Sequence, residues 1–447
     1  MALGMGLDIT TPPRSAAFAP TMPMHRTVRP LRRALLALAV LLPALAGAAE
    51  DPTIDIQQRG QGWAFVVGGG LKSDHKAVWK RLVELAGGPG ARFVVLGTAS
   101  NNPTTAADQA AEQLRSYGAV AETLPVSPLL KEPSIAAAAR DPALVARVRA
   151  AKGVFFTGGS QDRITDNLNP GGRATPLLQA IWEVYRGGGV VAGTSAGAAI
   201  MSATMFRDAP DVLKVMKGRW TEGDEVGPGL GFVGPDLFVD QHFLKRGRLA
   251  RMLPLMAAKG LRIGLGVEEN SAAAVRGDEV EVVGGKVMFV DLTEATSDPR
   301  LGAYNIAGAR LSLLDEGDKL NVATRKLTPS KAKLEGQFLD PAAPNYKPYY
   351  TRQPFQLDFF GDNVIAVSMA LLIDAHYNNI EGMAFDPLPA AADPLGTLGF
   401  RARLYKGPGS RGWYTEATGA EDYTVQDLRL DVYPVRMAQP LFQPWKP

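Results

Sequence analysis

The sequence predicts an α/β protein built on a parallel sheet covered by helices on both faces, with a mostly β extension behind it. Three observations carry this expectation. Short apolar runs alternate with helical segments from Gly62 onward, the runs are continuously apolar, and glycine-rich turns close three of them. Continuous apolar strands belong to sheets buried on both faces, and a helix between successive strands makes them parallel. In such sheets functional groups collect at the strand C-terminal ends.

The elements follow in order. Residues 63–67 read as the first strand, ending in Gly68-Gly69-Gly70, with a helix over 75–85 and a second strand over 92–96. The first glycine turn lacks Gly-x-Gly-x-x-Gly spacing because Leu71 and Lys72 follow directly, which weighs against a dinucleotide loop. Helices over 106–117 and 142–151 precede a strand at 153–157, which ends in Gly158-Gly159. The run Gly189-Val190-Val191-Ala192 then leads into Gly193-Thr194-Ser195-Ala196-Gly197, followed by a helix to about 205. Beyond a turn-rich stretch to 235 come a strand at 237–239, a helix over 248–259, a strand at 263–267 and short alternating strands from 280 to 290. From about 303 the βα rhythm stops and proline, aromatic and turn residues increase. The domain expectation is therefore an α/β domain over 50–302 and a separate, mostly β extension over 303–447, with one helical run near 364–373.

The N-terminus reads as a targeting segment. Residues 24–33 are basic, 34–43 are apolar but too short to span a bilayer, and Ala46-Gly47-Ala48 offers small residues for cleavage near Ala48 or Ala49. This predicts a leader over 1–49, a true start at Met24, and a secreted or periplasmic product with no stable membrane anchor. The total charge of +3 changes meaning accordingly: five arginines against Asp8 give residues 1–49 a net +4, which leaves −1 on the remainder. A near-neutral chain has no general pull toward nucleic acid. Cysteine is absent, which excludes disulfides, thiolate metal sites and a thiol nucleophile together.

Gly193-Thr194-Ser195-Ala196-Gly197 is a strand-to-helix elbow. A sharp turn of this kind forces its central residue into strained backbone angles, and glycine neighbours let that side chain stand clear of the sheet. Ser195 is thus a candidate nucleophile, and the next N–H, at Ala196, lies at a helix start where it can serve an oxyanion. A serine nucleophile needs a base and a group to orient the base. Outside the leader only His75, His242 and His376 are available. His75 opens a predicted surface helix and reads as solvated. His376 lies in the extension. His242 follows the 237–239 strand directly, in Asp240-Gln241-His242-Phe243, and is the candidate base. For the acid, Glu268 and Glu269 both end a predicted strand; period-two alternation turns them opposite ways and leaves the choice open.

Gly158-Gly159 can offer a second N–H, from Gly159, to the oxyanion, and Gln161 can hydrogen-bond a substrate amide or carboxylate. Arg246, Arg248 and Arg251 lie within nine residues of His242, the last two at i, i+3 spacing on one helix face. Guanidinium forks match carboxylates, so an anionic group on the substrate is expected.

Taken jointly, Gly158-Gly159-x-Gln161, Gly193-Thr194-Ser195-Ala196-Gly197-Ala198, Asp240-Gln241-His242-Phe243-x-x-Arg246-x-Arg248-x-x-Arg251 and Glu269-Asn270 resemble the cyanophycinases, in the family that includes aspartyl dipeptidase (peptidase E). The likeness runs from about 63 to 290. It implies a flavodoxin-like (class I glutamine amidotransferase-like) core and a Ser195-His242-Glu269 triad, which settles the acid on Glu269. It implies oxyanion donors at Gly159 and Ala196 and a substrate held by Gln161, Asp240, Gln241, Arg246, Arg248 and Arg251. It further implies hydrolysis of cyanophycin, a poly-aspartate whose side-chain carboxyls are amide-linked to arginine, to β-aspartyl-arginine dipeptides through an acyl-enzyme. No metal or organic cofactor is needed, and homodimers are usual in the family. Ser160 stands where the family often has an acidic or amide residue, and the leader and extension have no counterpart in its short intracellular enzymes. Two other readings fit the elbow: an α/β-hydrolase-type esterase pairing Ser195 with a later acid and His376, and a non-catalytic polymer-binding protein using the extension.

Overall fold

Among the described residues the strands form two large β-sheets, of nine and ten strands, and a two-stranded one, and all three glycine-rich turns close parallel strands of the nine-stranded sheet. The computed structural model describes residues 51–445, apart from 58–60 and 209. The leader expected over 1–49 lies outside the described residues. Among them no helix is long and apolar enough to cross a membrane.

The strands of the first half are β1 (Trp63–Val67), β2 (Arg92–Leu96), β3 (Val120–Leu124), β4 (Gly153–Phe156), β5 (Val190–Thr194), β6 (Thr204–Phe206), β7 (Val226–Pro228), β8 (Leu237–Gln241) and β9 (Ile263–Val267). Then come β10 (Ala272–Arg276), β11 (Glu279–Val283), β12 (Val287–Asp291), β13 (Ile306–Leu314), β14 (Lys319–Asn321) and β15 (Lys326–Thr328). The last are β16 (Gln337–Leu339), β17 (Phe355–Gln356), β18 (Asn379–Ala384), β19 (Leu398–Tyr405), β20 (Arg411–Thr415) and β21 (Asp422–Arg436). The helices are α1 (Lys76–Leu85), α2 (Pro103–Ser116), α3 (Ile135–Ala138), α4 (Pro142–Arg149), α5 (Asp162–Leu168), α6 (Pro176–Arg186), α7 (Ala196–Ala199), α8 (Val212–Met216), α9 (Leu249–Lys259), α10 (Lys331–Leu334) and α11 (Val364–Ile373).

The first sheet runs β15-β14-β11-β10-β1-β5-β4-β2-β3. Its parallel part is β1, β5, β4 and β2, as expected, with β3 added at the edge. Antiparallel strands from β10 outward extend it into a mixed sheet. Both faces of the parallel part are buried, because successive side chains of a strand point to opposite faces. Ala64 and Val66 join one core with Leu144, Ile181 and Trp182 of α4 and α6, while Phe65 and Val67 join another with Leu82 and Leu114 of α1 and α2. The helices begin where capping chemistry places them: Asp141 and Thr175 cap α4 and α6, each followed by a proline at the first helical position.

The second sheet departs from expectation. It runs β17-β18-β19-β21-β13-β12-β9-β8, so the strands leading to His242 and to the glutamates are not in the sheet that carries Ser195. β8 and β9 are parallel, and β9 continues antiparallel through β12 and β13 to β21. The extension is β-rich and its helix α11 falls where expected, but its strands join both sheets: β14 and β15 add to β11 of the first, and the others are hydrogen-bonded to the second through β13. Residues 50–447 consequently form one compact unit. The helix expected to reach 205 ends at Ala199, and Thr204–Phe206 pairs with β7 as a strand.

Candidate active site

Ser195 leaves β5 at φ 54° and ψ −110°, a left-handed strained conformation that a non-glycine residue adopts only when its surroundings fix it. The flanking glycines are needed by close approach: a Cβ on Gly193 would strike the backbone of Gly197, and one on Gly197 would strike Phe156. The Ser195 N–H is held by the Val67 carbonyl at 3.1 Å, which ties the elbow to the end of β1.

The base arrives from the other sheet. His242, just past β8, also has positive φ (48°), and its N–H donates to the Gly68 carbonyl at 2.7 Å. Its Nε2 stands 2.8 Å from Ser195 Oγ, and its Nδ1 stands 2.5 Å from Glu269 Oε1. Past β9 the chain crosses from the second sheet to the first through residues 268–271, and Asn270 (φ 56°) donates its N–H to the Gly69 carbonyl at 2.7 Å. The Gly68-Gly69-Gly70 turn therefore has a specific task. Gly69 sits at φ 104°, and a Cβ there would overlap the His242 ring. The turn at the end of β1 is the seat of the imidazole, a role that the pattern of glycines alone did not disclose.

The two glutamates do diverge, but both serve the His242 loop. Glu269 meets the imidazole, whereas Glu268 Oε2 accepts the N–H groups of Leu244 (2.5 Å) and Lys245 (3.0 Å). Burial raises the Glu268 pKa, opposed by these N–H donors. β9 ends at Val267, so strand alternation no longer governs where the next two side chains point.

A groove of about 890 Å³ opens over Ser195 and His242, walled by Trp79, Phe155, Thr157, Gly158, Gly159, Thr194 and Arg246 among others. Among the described residues the N–H groups of Gly159 and Ala196 have no hydrogen-bond partner. The Thr157 hydroxyl on the same wall is buried without a partner, a polar atom that sequence reasoning missed.

Burial lowers the His242 pKa; the hydrogen bond it donates to Glu269 opposes that, and the nearby Arg246 and Arg248 add to the lowering. The imidazole stays neutral, and able to accept a proton, to a pH below the ordinary histidine range. In Arg246→Gln one of these cations is gone, so the pKa rises. The acid limb of the kcat/KM profile should then move to higher pH, which a pH–rate series on the two proteins measures.

Five of the residues expected to hold substrate are buried. Asp240 and Arg251 are about 3% and 1% exposed and form a two-point ion pair, Nε–Oδ2 2.8 Å and Nη2–Oδ1 2.7 Å. Arg251 also lies over the Phe206 ring at 4.2 Å. Arg248 is buried, donates to the Gln241 carbonyl at 2.7 Å, and approaches Asp240 at 3.5 Å; burial pushes its pKa down to about 10. Gln161 is buried and its Nε2 donates to the Phe206 carbonyl at 2.8 Å. Gln241 is buried with its Oε1 unpartnered. None of these five lines the groove. The i, i+3 spacing of Arg248 and Arg251 does bring them together, but on Asp240 beneath the loop. Arg246 alone of the three arginines lines the groove; half exposed, it has a long 4.0 Å contact with Glu269.

The other histidines are placed away from Ser195. His75 precedes α1 and its ring meets the Gly284 carbonyl at 2.9 Å, so it is not simply solvated. His376 is exposed on the extension and does not line the groove, which removes the geometric basis of the Ser195–His376 arrangement.

A serine, a histidine and a carboxylate in hydrogen-bonded sequence, on an elbow at the end of a parallel strand, define a serine-hydrolase type of site on an α/β fold. Residues 64–283 match peptidase family S51. The cyanophycinase of Geminocystis herdmanii is 30% identical over 281 residues, which are 59% of this chain and 94% of that protein. The cyanophycinase of Trichormus variabilis is 34% identical over 202 residues, 42% of this chain and 63% of that relative, so the match spans less than two thirds of its length. A crystal structure of a peptidase from an acI-B1 actinobacterium is 25% identical, with a TM-score of 0.40 over 52% of this chain and 91% of that one. This chain belongs to peptidase family S51.

Proposed function

We propose that this protein is an exported serine peptidase that cleaves cyanophycin to β-aspartyl-arginine dipeptides. The observation that carries the reading is the hydrogen-bonded series Ser195 Oγ–His242 Nε2 at 2.8 Å and His242 Nδ1–Glu269 Oε1 at 2.5 Å. The name shared by the relatives supplies the substrate class.

His242 Nε2 takes the Oγ proton as Ser195 attacks the carbonyl carbon of a backbone amide. The negative charge that develops on oxygen is received by the N–H groups of Gly159 and Ala196, which have no other partner among the described residues. Collapse breaks the C–N bond, His242 returns the proton to the leaving amine, and the acyl group remains on Ser195. Water then enters by the reverse of these transfers. Glu269 accepts the Nδ1–H, which fixes the tautomer and stabilises the imidazolium formed in each step. Arg246 on the groove wall offers a guanidinium to substrate carboxylate. Export rests on the basic and apolar pattern of residues 24–48.

The reading is tested by incubating the protein lacking residues 1–49 with cyanophycin and identifying soluble products by mass spectrometry. β-Aspartyl-arginine is expected as the main product. Intact polymer, or release of free arginine alone, would rule the substrate out.

A further inference from the structure

Arg246 lines a second cavity besides the groove over Ser195. This cavity, of about 290 Å³, lies between the His242 loop, α8 and the extension. Its floor is apolar and buried, from Met216, Ala250, Phe360 and Ala384. Its charged side chains are Lys245, Arg246, Asp358 and Asp362. Lys245 and Asp362 neutralise each other at 2.5 Å. Asp358 is exposed, and its carboxylate has no partner among the described residues. One available carboxylate and one available guanidinium thus face a single apolar-floored cavity that shares Arg246 with the groove.

The extension is fixed tightly against the His242 loop here. Asn363 donates its N–H to the Leu244 carbonyl at 2.9 Å, and Gly247 (φ 59°) has no room for a Cβ against the Phe360 carbonyl. The walls from the two parts of the chain are therefore held in register.

We infer that the extension builds a substrate subsite here, taking a side branch that carries a guanidinium and a carboxylate separated by methylenes. Asp358 receives the guanidinium, Arg246 the carboxylate, and the apolar floor the methylene stem. The inference rests on the proposed function for one point, that the branch is an arginine joined through its α-amino group with its carboxylate free. It assigns the 303–447 segment a part in choosing substrate.

Asp358 is a positioning group away from the reacting atoms, and its exposed, unpartnered side chain can be changed without disturbing the fold. The test uses Ser195→Ala protein, which cannot turn over, titrated calorimetrically with a trimer of β-aspartyl-arginine units. A matched trimer carries citrulline, whose urea group is neutral, in place of arginine. The arginine trimer should bind about tenfold tighter than the citrulline trimer, and Asp358→Ala added to Ser195→Ala should erase that difference, the scale of one charge-assisted hydrogen bond. Equal affinity for both trimers, no binding of either, or a preference unchanged by Asp358→Ala would each overturn the subsite. Failure of the functional reading is seen separately, as wild-type protein that leaves the polymer intact.

Discussion

Ser195→Ala is expected to lower kcat on cyanophycin by about 10⁶-fold, a loss of roughly 8 kcal/mol of transition-state stabilisation. Two steps depend on the removed Oγ: attack on the carbonyl and storage of the acyl group. His242→Ala should cost nearly as much, and the double variant hardly more, because nucleophile and base act as one unit. Glu269→Gln is the softer change. It keeps the shape but favours the wrong imidazole tautomer, for a loss of about 10⁴-fold. His376→Ala should leave activity within twofold, since that side chain does not line the groove. Activity that survives His242→Ala and vanishes in His376→Ala would reverse the assignment of the base. Steady-state kinetics on the polymer, with folding checked by circular dichroism, reads all five variants.

Asp240→Ala is expected to destabilise the protein by about 3–5 kcal/mol, measured as a lower urea midpoint with an unchanged slope. The carboxylate joins Arg251 at two points and lies 3.5 Å from Arg248, all three being at most a few per cent exposed. Removing it leaves two guanidiniums buried without their paired carboxylate, and that poorly compensated burial is the source of the cost. The outcome separates two roles for this residue. Were Asp240 a substrate contact, as the family resemblance implied, its loss would raise KM and leave the urea midpoint where it was.

Much of this was legible in the sequence because local chemistry dictated it. The elbow at Ser195 needs glycines on either side, and both are there for contacts a Cβ would break. Scarcity of histidine pointed to His242 by elimination, and the parallel strands were written in their apolar runs. β3 escaped because an edge strand with Glu122 and Thr123 half exposed does not read as a buried run. The second sheet escaped for a different reason. The runs 237–239 and 263–267 are apolar like β1 and β5, and apolarity says that a strand is buried without saying in which sheet. The partner choice is set outside the strand itself, by β12 and β13, which reach β9 only after the chain has visited the first sheet as β10 and β11. The arginines illustrate the same limit: helical spacing fixes that Arg248 and Arg251 are neighbours, while only the position of Asp240 decides that they face inward. Glu268 could not be read at all, since its carboxylate serves two backbone N–H groups and no side chain.

Whether Ser195, activated by His242, works as a nucleophile is decided by treating folded protein with a sulfonyl fluoride and locating the adduct by peptide mass spectrometry. A single covalent adduct on Ser195 is expected, present in wild type and in His376→Ala and absent in His242→Ala. No adduct on wild-type protein, or an Ser195 adduct that persists in His242→Ala and disappears in His376→Ala, would contradict that activation.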